Sequence, residues 1–351
     1  MAGQTVFIGD RSGGRDNHFN LIRMVAASGV LVSHAYPISL GPEAVQPLES
    51  WLGGITLGAV SVYVFFALSG FFIAKSFDRS PSLGRFVRAR VLRLYPALLV
   101  VLVLTVLGAG LFLTTVPAGQ FWPSGPEYVL RNLSLVRLQY ELPGVFEANP
   151  YHGAINGSLW TLFHEVMCYI GVFVAGLAGL LRQKRVFAIC LAGFVVLCIA
   201  APALPLPGRA ETLLRLAFPF AIGTAFYVWR DQVPLRLSVG VGLIALAVLA
   251  RMTPLFDMAF VLALSYWMFL IGLAPVPRLL AYNRLGDYSY GTYIYAFPVQ
   301  QLMAWIGVGT ALGNMAFAFP VTLAMAVLSW HLVEKPALSW VRTAAPREVR
   351  S

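Results

Sequence analysis

Apolar segments long enough to cross a bilayer recur along this chain, and nothing else limits its fold so tightly. A helix rises about 1.5 Å per residue, so about 20 apolar residues cover the ~30 Å of hydrocarbon. Inside hydrocarbon every backbone N–H and C=O must be paired within the protein, which leaves helices or a closed barrel. Barrel strands would alternate apolar and polar side chains; these runs do not alternate. Ten spans are expected, at about 19–36, 55–77, 95–115, 158–181, 186–203, 211–229, 236–250, 258–273, 287–306 and 313–333. Only 11% of the residues are charged while 58% are hydrophobic, against roughly a quarter charged in a soluble domain. The expected fold is an all-α polytopic membrane bundle. No repeat or linker divides it, so 1–351 reads as one transmembrane domain.

The cations give the orientation. Of the 25 lysines and arginines, 19 fall on one side. Four (Arg131, Arg137, Arg209 and Arg251) fall on the other, and Arg23 and Arg215 lie within spans. Cytoplasmic loops carry the excess of Lys and Arg, which puts both termini in the cytoplasm, 1–18 at one end and 334–351 at the other. A bacterial inner membrane is the expected location. The net charge of +10 thus reports topology and does not call for a nucleic-acid partner. Residues 116–157 form a long outer connection rich in proline, glycine and aromatics. Connections of that length are functional or disordered; the aromatic content argues for order, as a lid or acceptor platform. Cys168, Cys190 and Cys198 sit in apolar runs without metal-ligand spacing, as buried free cysteines do, and no metal site is expected. Ser33-His34-Ala35 imitates a signal-peptidase site, but cleavage there would discard the first span.

Ionisable groups within spans cost roughly 2.5–3.5 kcal/mol each on insertion scales, which marks them as functional candidates. The first span begins with Arg23 and reaches His34 in "RMVAASGVLVSH". Eleven residues at about 100° and 1.5 Å each leave them roughly 20° apart around the helix and about 16 Å apart along it. Glu165 lies two turns into the fourth span, at a similar expected depth to His34. A carboxylate on one imidazole nitrogen would leave the other as a base of raised basicity; alternatively each group lines the headgroup region. A second cluster is "RFVRARVLRLYPALLV", in which Arg85/Arg88 and Arg90/Arg93 stand three apart and can share a helical face. It runs into Pro96, a residue suited to the first turn of a helix. Guanidiniums beside a helix N-terminus suit a phosphate; equally they suit topology or anionic lipid.

These stretches together resemble the acyltransferase-3 family of integral membrane acyltransferases, which O-acylate polysaccharides and other glycosides. "FNLIRMVAASGVLVSHAYP" resembles the family's first helix, with its arginine, ten residues and a histidine. "GAVSVYVFFALSGFFIAKSF", "RFVRARVLRLYP", "NGSLWTLFHEVMCY", "LGDYSYGTYIYAFPVQ" and "HLVEKPAL" are similar to later family segments, in order and nearly end to end. The resemblance implies His34 as the catalytic base, Arg23, Arg90 and Arg93 as groups that help hold acyl-coenzyme A, and Glu165 as a supporting carboxylate; Arg88, in the same cluster, is a further candidate for the donor's phosphates. Ser69 and Gly70 match the second-helix motif, where close packing of small residues is a sufficient account. Asn20 stands where many members carry aspartate, and Phe163-His164 departs from the usual residues before the glutamate. No appended hydrolase-like domain is expected.

The expected reaction moves an acyl group, acetyl above all, from cytoplasmic acyl-CoA to a hydroxyl of a glycan, glycolipid or glycoside. His34 would remove the hydroxyl proton or, by the other route open to it, carry the acyl group covalently, and Tyr63, Asn156 or Tyr293 would donate to the oxyanion. Acyl-CoA is a substrate here, and no permanently bound cofactor is expected. The lipid bilayer is the other partner, and the number of copies per assembly, a homodimer included, stays open. The alternative is a carrier or flippase for an anionic or sugar-linked substrate. Carriers of that kind often show inverted repeats, and none is visible.

Overall fold

The computed structural model describes residues 5–14, 16–79 and 82–343, with side chains to 340. Of the cations assigned to the inner side, Arg15, Arg347 and Arg350 and the side chain of Arg342 lie outside the described residues. Helices make up 74% of the described residues, among which no strand forms beyond an isolated antiparallel bridge between Phe7 and Pro234.

In chain order the α-helices are α1 (Ile8–Ser12), α2 (Phe19–Leu40), α3 (Leu57–Arg79), α4 (Leu83–Gly108), α5 (Ala118–Phe121), α6 (Ser124–Ser134), α7 (Trp160–Leu177), α8 (Lys184–Ala200) and α9 (Gly208–Val228). They continue with α10 (Leu237–Leu249), α11 (Phe256–Gly272), α12 (Pro277–Leu280), α13 (Ser289–Trp305), α14 (Ala311–Ser329) and α15 (Lys335–Thr343). Each of the ten expected segments is therefore a helix. Among the described residues six helices are long and apolar enough to cross a membrane, or seven when α11 and the segment to Arg284, bent by 91°, are taken as one broken span. α10 is short, and α9 carries Arg209, Glu211 and Arg215.

One boundary is corrected. The expected start at 95 read Pro96 as a first-turn residue, but α4 begins at Leu83 and holds Pro96 in its interior. No helix N-terminus lies at Tyr95 to add its backbone N–H groups to the arginines. The arginines instead ride on two helical turns ahead of the apolar part. Pro96, Pro219, Pro298 and Pro320 all stand inside helices, as membrane helices tolerate when neighbours satisfy the freed carbonyls.

The chain divides into two compact units, one of Met1–Arg23, Val62–Pro81 and His164–Gly286, the other of Met24–Ser61, Ser82–Phe163 and Asp287–Ser351. In the first, Phe19, Phe71, Phe72, Phe226 and Phe269 stack edge-to-face or tilted with centroids 4.8–5.5 Å apart. There α3 and α9 touch backbone to backbone: a Cβ at Gly70 would lie 1.9 Å from the Phe220 carbonyl oxygen, and one at Gly223 1.9 Å from that of Ala67. In the second unit α13 and α14 meet where Gly291 faces Ala326. The 114–156 connection is ordered and self-packed. Phe121 and Tyr128 are fully buried in it, and both ends of the Asn132 amide bond to Gln139. The Tyr128 hydroxyl has no hydrogen-bond partner among the described residues, and burial raises its pKa well above the usual phenol range.

Candidate active site

His34 lies three residues from Leu31 on α2, and its place is fixed from both sides within the second unit. The Gln300 amide donates to the Leu31 carbonyl at 2.9 Å, tying α13 to α2 one turn before the histidine. The Phe297 ring then meets the imidazole edge-on at 5.2 Å. Gly157 packs on the same ring, where a Cβ would fall 2.6 Å from it, and Tyr151 meets it at 5.8 Å. His34 is half-buried; its Nδ1 is shut off from solvent and has no hydrogen-bond partner among the described residues.

The floor of this region follows from a proline. Pro298 has no N–H for the carbonyl four residues back, that of Ile294. The Asn156 side chain supplies the donor instead, Nδ2 to Ile294 O at 2.9 Å, and its own oxygen accepts from Ser158 N. Asn149 Nδ2 donates to Gln301 Oε1 at 2.8 Å, and Gln301 Nε2 donates to the carbonyls of Tyr151 and Ala154 at 2.8 and 2.6 Å. Residues 149–158 are thus clamped onto α13 beside Phe297. The Tyr293 hydroxyl donates to Ser158 O at 2.8 Å and stands 2.6 Å from Thr161 Oγ1. Asn156 and Tyr293, expected as oxyanion donors, are engaged in this clamp, while Tyr63 accepts from Arg215 Nε at 3.1 Å in the first unit.

The arginines of α4 differ from one another. Arg88 is exposed and donates to the Trp340 carbonyl at 2.9 Å. Arg90 lies over Phe86, 4.3 Å from the ring centre. Arg93 reaches two carboxylates, in "LGDYSYGTYIYAFPVQ" and "HLVEKPAL", to which the sequence alone assigns no role. Its Nη2 is 2.7 Å from Asp287 Oδ2 and its Nη1 3.6 Å from Glu334 Oε2. Ser289 donates to Asp287 at 2.5 Å and Ser329 to Glu334 at 3.0 Å, and the Tyr290 hydroxyl caps Leu94 O at 2.9 Å. Three separate motifs close into one polar knot.

In the first unit, Glu165 Oε1 accepts from Ser69 Oγ at 3.1 Å and from the Tyr169 hydroxyl. Ser69 thus has a partner as well as a packing role, and Tyr169, one turn along α7, is a neighbour the sequence reading did not name. Arg23 holds its guanidinium 5.1 Å from the Phe72 ring centre. His34 and Glu165, expected at a similar depth, belong to different units.

Among the described residues no cluster of histidine, cysteine or carboxylate suits a metal. The acyltransferase-domain family matches residues 16–334 of the chain. The chain belongs to the acyltransferase-3 family. This acyltransferase is also 30% identical, over 93% of its length and 97% of the relative's, to an "O-acetyl transferase" of Shigella phage Sf6. It is 29% identical, over 94% of its length and 95% of the relative's, to "Nodulation protein 10" of Rhizobium leguminosarum bv. viciae. No solved structure matches it significantly. His34, Glu165, Arg23, Arg90 and Arg93 all fall inside the matched stretch of the acyltransferase.

Proposed function

We propose that this acyltransferase is a multi-pass inner-membrane O-acetyltransferase with ten spans and both termini in the cytoplasm. It takes an acetyl group from cytoplasmic acetyl-CoA and gives it to a hydroxyl of a glycan or glycoside. The observation that carries the reading is His34: a half-buried imidazole on a membrane helix, held by Phe297 and the α13 clamp, with an Nδ1 that has no hydrogen-bond partner among the described residues. In the reaction His34 accepts the proton of the acceptor hydroxyl as its oxygen attacks the thioester carbonyl. The tetrahedral centre collapses with loss of the carbon–sulfur bond, and the proton leaves with the coenzyme A thiol. In the second unit Arg88 and Arg90 meet the donor's phosphates, and Arg93, carrying two carboxylates, acts by holding the helix that presents them. Glu165, set by Ser69 and Tyr169, is the supporting carboxylate. The clamped 114–156 connection is the acceptor platform.

The test uses radiolabelled acetyl-CoA, membranes bearing the protein, and the extracted glycans of the host. His34→Ala should lower label transfer at least 10²-fold while equilibrium binding of coenzyme A stays within about two-fold. Near-normal transfer by that variant defeats the assignment, and label transfer that depends on no CoA thioester defeats the donor.

A further inference from the structure

The first unit holds a cleft of about 580 Å³ that the acetyl transfer does not use, a size suited to a small-molecule or lipid ligand. It opens at the corner where α11 ends and the chain turns through 91° into α12. One wall is apolar and open: Leu237 at the start of α10, Ile271 at the end of α11 and Leu279 on α12 are 63, 51 and 40% exposed. Trp267 lines the cleft from α11, its indole N–H donating to Gly240 O at 3.0 Å. Tryptophan so placed marks the level of lipid headgroups.

The remaining wall is cationic. Arg11 and Arg236 both line the cleft, and no carboxylate does so among the described residues. Each guanidinium has five N–H donors. Arg11 commits one to Leu273 O at 3.1 Å and Arg236 one to Thr5 Oγ1. Neither is ion-paired among the described residues. The Arg236 backbone is held by the Tyr266 hydroxyl at 2.9 Å, and residues 6 and 235 are hydrogen-bonded, so the two cations stand on a fixed frame.

We propose that this cleft binds an anionic phospholipid, its phosphate against Arg11 and Arg236 and one acyl chain along Leu237, Leu270 and Ile271. Guanidiniums match phosphate geometry with paired donors, and basic pockets between membrane helices suit anionic headgroups. A zwitterionic lipid would fill the apolar part and gain less at the arginines. The inference requires that the chain is embedded in a bilayer and is independent of acetyl transfer, so lipid binding and label transfer fail separately.

The experiment is lipid titration of the full chain in neutral detergent, read by native mass spectrometry. Phosphatidylglycerol, phosphatidylcholine, dihexanoyl phosphatidylglycerol and inorganic phosphate are the probes. At about five-fold per guanidinium near a surface, phosphatidylglycerol should bind roughly 25-fold tighter than phosphatidylcholine. Arg11→Gln/Arg236→Gln should reduce that preference to within about two-fold. Ile271→Trp, at a half-exposed position that folding tolerates, should weaken both long-chain lipids with both arginines intact and leave the short-chain lipid unchanged. Equal affinity for the two long-chain lipids, an undiminished preference in the double variant, or inorganic phosphate binding as tightly as phosphatidylglycerol each overturns the proposal.

Discussion

Arg93→Gln separates a structural arginine from one that meets the donor. In the second unit its guanidinium faces Asp287 and Glu334, whose side chains are 10% and 1% exposed, while its own is 26% exposed. Removing it takes the guanidinium away from both carboxylates, to which Ser289 and Ser329 also donate. Breaking one partner out of a buried pair costs about 3–5 kcal/mol, because the remaining charge stays uncompensated. At roughly 2–4 °C per kcal/mol for a domain-sized unit, that lowers Tm by on the order of 10 °C. Glu334→Gln in the same background removes the more deeply buried charge and should recover about half of the loss, a coupling that the double-mutant cycle isolates. Arg88→Gln is the control: exposed and bonded to a single carbonyl, it should shift stability by no more than about 0.5 kcal/mol. The assay is thermal melting followed by size-exclusion in detergent, with coenzyme A binding measured separately below the transition. If Arg93→Gln melts within 2 °C of the unaltered protein and loses only coenzyme A binding, the reasoning is wrong and the arginine belongs to the donor site. Failure of Glu334→Gln to rescue would be equally damaging.

Two further outcomes follow from the first unit. Gly70→Ala places a methyl 1.9 Å from Phe220 O; reaching ordinary contact near 3.4 Å means parting α3 from α9 by about 1.5 Å, at 1–3 kcal/mol or more. Gly171→Ala on α7, with nothing within 4 Å of its Cβ, should melt like the unaltered protein, and equal melting of both variants would show the close approach to be unimportant. Tyr169→Phe and Ser69→Ala each remove one hydrogen bond from Glu165; at about 1.5–3 kcal/mol for a bond to a charged group, kcat should fall roughly ten-fold or more. Because the proposed effect runs through the carboxylate, neither variant should lower kcat further in a Glu165→Gln background; a further fall there would mean a packing role alone.

What was legible in the sequence is what hydrocarbon imposes locally. A segment without charges must be helical and about 20 residues long, so the ten apolar segments could be placed within a few residues of the helices that form. The one large error has the same origin. Pro96 reads as a helix start by local rules, yet inside a membrane bundle neighbours can make good the missing hydrogen bond, and α4 continues through it. The costly polar residues were legible as costly, but their partners were not. Arg93 is 194 residues from Asp287, and a count of cations registers it as topology whichever carboxylate it meets. The same limit hid the clamp at His34. Pro298 announces that a carbonyl on α13 needs an outside donor, but nothing local says that Asn156 supplies it. Sequence thus exposes the unmet demand of each buried group, and only the fold reveals which group answers it. Phe297, set between that proline and the histidine, is therefore held by Asn156 and Gly157 from the connection, so a change of acceptor-platform sequence at 149–158 would alter the wall against His34 before it altered any helix.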